Sequence, residues 1–138
     1  MTTAKLFVLS MVVFAFLDAI WIGYVMSSTY KGLLGPLARL NADGTFNINY
    51  IAAVGVYVLL AAAVVFFVLP RAGLSPFSVF LFGALMGLII YGVYDLTNAA
   101  TLVHWPLKFI VFDIAWGTFA TGLTALVVTN IGKMFHWL

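Results

Sequence analysis

The chain contains no cysteine. Disulfides, thiolate metal centres and cysteine nucleophiles are excluded, and the redox compartment cannot be read from it. Charge is also scarce. Only 7% of the 138 residues are charged, where a soluble domain carries about 25%. The six basic residues stand singly and leave a net charge of +2, so there is no basic run to engage nucleic acid. The two histidines, His104 and His136, are far apart, which argues against haem or zinc held by histidines of one chain. No serine has a base beside it. The four acidic residues are all aspartates and form no compact cation-binding motif. The expectation is a protein with no metal and no cofactor.

What the chain has instead is apolar surface. It is 65% hydrophobic, with a mean hydropathy of +1.19. A chain this short builds one modest core in water and cannot hide so much apolar area, so its solvent is lipid. Four stretches are long enough to cross a bilayer as helices, at residues 6–25, 48–69, 77–98 and 107–130. Lys5 precedes the first, which exceeds a signal-peptide core and is interrupted by Asp18, so a retained span is expected. The fold class expected is all-α, an integral membrane four-helix bundle forming one domain over residues 1–138. One longer loop joins helices one and two.

The short connections carry stop and start signals. In "PRAGLSP", Pro70, Gly73 and Pro76 are expected to end one helix and begin the next. "HWP", ending at Pro106, makes the turn before span four. The long connection, "SSTYKGLLGPLARLNADGTFNIN", contains the turn signal "NADG". Its "TYKGLLGPLARL" segment suits a short amphipathic helix in the membrane interface. Lys5, Arg71 and Lys133 fall on the face with the N-terminus, here side A; Lys31, Arg39 and Lys108 fall on the opposite face, side B. The positive-inside count is thus three against three and selects neither orientation.

Three of the four aspartates lie inside spans. At about 1.5 Å per residue, Asp18 lies about 4 Å past the middle of span one toward side B. Asp95 lies about 11 Å past the middle of span three, and Asp113 about 8 Å from the middle of span four, both again toward side B. Charges facing lipid are unfavourable by several kcal/mol, so a shared polar pocket inside the bundle is expected. Its walls by helical spacing are Tyr91, Asp95 and Asn98 on span three, Asp113, Trp116, Gly117 and Thr121 on span four, and Asp18 with Trp21 on span one. Lys108 sits at the side-B rim, and the long first loop is placed to act as a lid. Two close carboxylates share one proton more readily than both ionise.

A blander reading stands beside this one. Both "FLDAIWIG" and "VFDIAWGT" place a tryptophan three residues after an aspartate. The indole can donate to the carboxylate and lock the helix without any ligand. Because the two spans run in opposite directions, an inverted repeat and a shared packing need both account for the recurrence. "GALMG", Gly83 to Gly87, reads as a close helix crossing. Trp105, Trp137 and Tyr30 read as interface anchors, and His104 as a solvated loop residue.

Together "FLDAIWIG", "YGVYDLTNAATL" and "WPLKFIVFDIAWGT" resemble the bacterial predicted-membrane-protein family catalogued as domain of unknown function 2177, over essentially the whole chain. The resemblance implies a multi-pass protein of the bacterial inner membrane and brings no activity with it. Three function classes remain open. One is binding or transport of a small amphipathic or lipid-like ligand, with a homodimer as one way to enclose a pathway. The second is a membrane enzyme, with Asp95 or Asp113 as general acid or base on a lipid or isoprenoid and Tyr91 or Lys108 orienting it. The third is an assembly subunit whose aspartates only hold helices together. Membrane lipids are the partners common to all three.

Overall fold

The computed structural model describes residues 2–73 and 75–138. The protein is an all-α bundle. Four helices are long and apolar enough to cross a membrane: α1 Thr2–Val25, α3 Tyr50–Ala72, α4 Pro76–Thr101 and α5 Leu107–Met134. The shortest, at 23 residues, reaches about 34 Å at 1.5 Å per residue, enough for the hydrocarbon core. A shorter helix, α2 Ser27–Leu34, follows α1 on side B.

Two spans contain a wider, π-helical turn. In α1 it covers Trp21–Val25, and the Met26 N–H reaches back five residues to the Trp21 carbonyl at 2.7 Å. In α3 it covers Ala63–Val68, and the Leu69 N–H bonds to the Val64 carbonyl. The second turn corrects the expectation that Pro70 stops the span. Proline inside a regular helix clashes with the preceding turn and removes a bond. A wide turn just before it makes room for the ring. The helix runs through Pro70 to Ala72 and ends at Gly73, whose φ of 65° suits glycine.

The connection after α2 is compact. A 3₁₀ turn covers Gly35–Leu37, and Gly35 takes a φ of 51°. Leu40 and Phe46 then pair as an isolated antiparallel bridge. At its tip Asp43 Oδ1 accepts from the Thr45 hydroxyl at 2.7 Å and the Thr45 N–H at 2.9 Å. These bonds hold the exposed Asp43 carboxyl below its ordinary range. Lys31 lies 5.2 Å over the Phe46 ring and ties the loop to α2. Asn49 caps α3 by accepting from the Ala52 N–H at 3.2 Å.

The bundle is built around α5, the most enclosed of the spans. Its closest neighbour is α4, and the "GALMG" segment lies at their crossing. A methyl at Gly83 would sit 2.9 Å from the Gly122 Cα and the Thr121 carbonyl oxygen, and one at Gly87 would overlap the Gly117 carbonyl. The two backbones therefore meet with only hydrogens between them. On the other side of α5 lies α1, antiparallel: Leu6 packs with Val128, and Asp18 meets Trp116. Phe14, Leu60, Val64, Val68, Val79 and Ala125 close the apolar core between the helices. At the side-A end, α3 and α4 pack together through Val68, Ala72 and Val79. Toward side B they part.

Candidate functional site

The site is the side-B half of the bundle interior. Here α1 supplies Asp18, 6% exposed; α4 supplies Asp95, fully buried; and α5 supplies Asp113, 9% exposed. The three aspartates converge because antiparallel packing brings their levels together. Asp18 meets Trp116 across the α1–α5 interface. The Asp95 and Asp113 carboxyls face one another across the α4–α5 interface.

Indole donors hold two of these carboxylates. Trp116 Nε1 donates to Asp18 Oδ1 at 2.8 Å, and Trp105 Nε1 donates to Asp95 Oδ1 at 3.1 Å. Neither pair is the one that the D-x-x-W spacing suggests. Trp21 does not reach its own Asp18. Its indole stacks on Trp116, with ring centroids 4.5 Å apart and planes 4° from parallel, and its N–H donates to the Tyr30 hydroxyl at 3.1 Å. The two motifs are thus interlocked: the tryptophan of the second serves the aspartate of the first, and the tryptophan of the first supports that tryptophan. The π-helical turn beginning at Trp21 carries the indole off the face that bears Asp18.

Asp95 and Asp113 form the second unit. The Asp95 Oδ2 is buried and accepts from no N–H or hydroxyl. The group that reaches Asp95 is the Asp113 carboxyl. Two carboxyl groups bond to one another only when one of them carries a proton. Among the described residues no basic side chain forms an ion pair with any of the three aspartates. Lys108 is exposed at the start of α5, and His104 is exposed in the turn before it. Asn98 is half-buried and bonds to Tyr94.

Four aromatic residues that the helical spacing does not assign to the pocket belong to the site. Trp105 and Tyr30, expected as interface anchors, face inward. Trp105 bonds to Asp95. Tyr30 is 3% exposed, packs on Phe109 at 4.9 Å, and its hydroxyl reaches Asp113. Tyr57, in the uncharged part of α3, bonds to Asp18. Tyr94 lines the cleft described below. A hydroxyl inside an otherwise apolar span is the signal that points to Tyr57, since phenols buried in lipid seek a partner. The Tyr91 ring lies flat on α5 where Gly117 has no side chain; a methyl there would overlap the ring.

Through Tyr30, α2 covers the site from side B. Burial pushes the Tyr30 phenol up to about 12 from 10.0. The folded state thus holds this proton more tightly than the unfolded chain. Its contribution to stability is complete below pH 10 and is lost as pH rises toward 12. Thermal unfolding across that window should fall more steeply for the wild type than for Tyr30→Phe. Parallel curves would show that Tyr30 is not buried in this way.

A cleft of about 460 Å³ opens where α3 and α4 part. Val56, Leu59 and Leu60 of α3 form one wall, Ile90, Tyr91 and Tyr94 of α4 the other, and Asp113 lies at its inner end. The volume is that of a small-molecule site. Val56, Leu59 and Tyr94 are exposed at its mouth, so it faces lipid. The site therefore presents one carboxyl, backed by a second, to an apolar chamber.

No curated protein and no solved structure matches the chain. The family described as "Predicted membrane protein (DUF2177)" matches residues 3–130, a stretch that contains all four spans nearly whole and every residue of the site. The chain belongs to that family.

Proposed function

We propose that the protein binds, and carries within or across the membrane, a small amphipathic or lipid-like molecule in the cleft between α3 and α4. The observation that supports this reading is the position of Asp113 at the inner end of a chamber otherwise lined by apolar and aromatic side chains. The apolar body of a ligand fits the walls, and a polar group meets the carboxyl. Intramembrane ionisable groups without an ion-pair partner are functional more often than not. Asp18 has a different role in this reading. Its bond to Trp116 joins α1 to α5, as a structural polar contact would. The bacterial inner membrane is the compartment in which we place this activity.

Native mass spectrometry of gently purified protein tests the reading. The wild type should carry a discrete bound mass that Val56→Trp, which fills the cleft from its exposed mouth, removes. An adduct kept equally by both proteins, or absent from both, overturns it. The facing carboxyls of Asp95 and Asp113 also suit acid–base chemistry on a bound lipid or isoprenoid. A bound species recovered in chemically altered form would favour that enzyme reading.

A further inference from the structure

We propose that the ligand is a lipophilic organic monocation and that its binding expels the proton shared by Asp95 and Asp113. This rests on the cleft being a ligand site and adds the ligand's charge and its coupling to protons.

The first ground is uncompensated acid. Three carboxyl groups lie inside the bundle, and the described residues offer them no Lys, Arg or His partner. The groups that face the Asp95–Asp113 pair are Asp18 from α1, Tyr30 from α2, Tyr91 and Tyr94 from α4 and Trp105 from the turn before α5. From α3, Tyr57 faces Asp18. All are neutral donors, phenols or further acid. The site lacks positive charge and has no internal means to supply it.

The second ground is the cleft itself, which excludes the smaller cations. A metal ion needs several oxygen ligands at once, and among the described residues no group of three acidic, histidine or cysteine side chains could hold one. Only one carboxyl reaches the chamber. Its walls cannot replace the water shell of a small, strongly hydrated ion. They suit a large, weakly hydrated cation, and the Tyr91 and Tyr94 rings provide π faces for it.

The third ground is charge balance. Before binding, the pair is one carboxylic acid and one carboxylate, with a net charge of −1. When the cation enters, the acid O–H bond breaks heterolytically and its proton leaves to water. Two carboxylates and one cation remain, again −1. Nothing is oxidised or reduced. The net charge of the low-dielectric site is unchanged by this exchange, so binding adds no further buried charge.

Tetraphenylphosphonium is the probe, with tetraphenylborate as the anion of matching shape and tetraphenylsilane as the neutral one. Each is titrated into the purified wild-type protein in weakly buffered detergent, with binding read by calorimetry and proton release by a pH indicator. The expected result is saturable binding of the cation alone, with about one proton released per cation. The apparent affinity should fall about tenfold per pH unit on the acid side. Asp113→Asn should release no proton; because the main readout uses the wild type, a folding defect in that variant leaves the test intact. Cation binding without proton release overturns the exchange. Equal binding of all three probes overturns the charge preference while leaving the cleft as a ligand site. Binding of none of them, with a native adduct that Val56→Trp removes, overturns the cation class alone. Binding of none, with no such adduct, overturns the cleft reading as well.

Discussion

Gly87→Ala should cost about 3 kcal/mol or more and leave little monodisperse protein after extraction. The added methyl would overlap the Gly117 carbonyl oxygen and stand 2.8 Å from the Thr121 hydroxyl oxygen. Relief requires α4 and α5 to separate, because the obstacle is backbone and not a side chain that can turn aside. Overpacking in a close-packed interior is unfavourable by about 1–3 kcal/mol, and a fixed backbone obstacle lies at the upper end. The control is on the same helix. A methyl at Gly92 meets nothing within 4 Å, so Gly92→Ala should gain the helix-propensity difference of about 0.5–1 kcal/mol. Size-exclusion profiles and thermal midpoints of the two variants give the comparison. If both behave alike, α4 and α5 do not cross as described.

Trp116→Phe should have the second large effect. The aromatic ring stays, but the N–H that donates to Asp18 at 2.8 Å is lost. A buried carboxylate deprived of its donor destabilises by about 1–3 kcal/mol. The smaller ring also loses part of the stacked contact with Trp21, worth up to about 1 kcal/mol more. Asp18→Asn in the same background should recover part of the loss, since an amide does not carry the charge that needs the indole. The four thermal midpoints form a double-mutant cycle. Coupling of about 1 kcal/mol or more is expected; strict additivity would mean that Asp18 and Trp116 do not act together. Trp21→Phe loses the same part of the stack but only a bond to a neutral hydroxyl, that of Tyr30, so it should be the milder of the two tryptophan changes.

Much of the frame is legible in the sequence itself. The spans follow from apolar length, and the shared level of Asp18, Asp95 and Asp113 follows from a constant rise per residue applied to antiparallel helices. Those quantities run along the helix axis. What the sequence hid depends on rotation about the axis. Trp21 and Asp18 share a face of a regular helix, but a π-helical turn begins at Trp21 and has no residue signature. By spacing each D-x-x-W motif is self-sufficient, and only the packing of α1 on α5 shows that Trp116 serves Asp18 while Trp21 turns to Tyr30. Tyr30 and Trp105 were misread for a related reason. Position near a span end marks an aromatic as an interface anchor, yet α2 folds back over the bundle and the turn before α5 points inward. Tyr57 carries no such signal, because residues 48–69 hold no charge to point to it.

The parting of α3 from α4 bears on how concentration at the site should be reckoned. The cleft faces hydrocarbon and not water, so a molecule arrives from the bilayer after dissolving in it. Occupancy then follows the mole fraction of the molecule in the membrane. Diluting the vesicles at a fixed ratio of ligand to lipid would leave occupancy nearly unchanged, whereas adding empty vesicles would drain the site. A compound that partitions a hundredfold better into lipid would look about a hundredfold more potent in water-based units without one new contact to the protein.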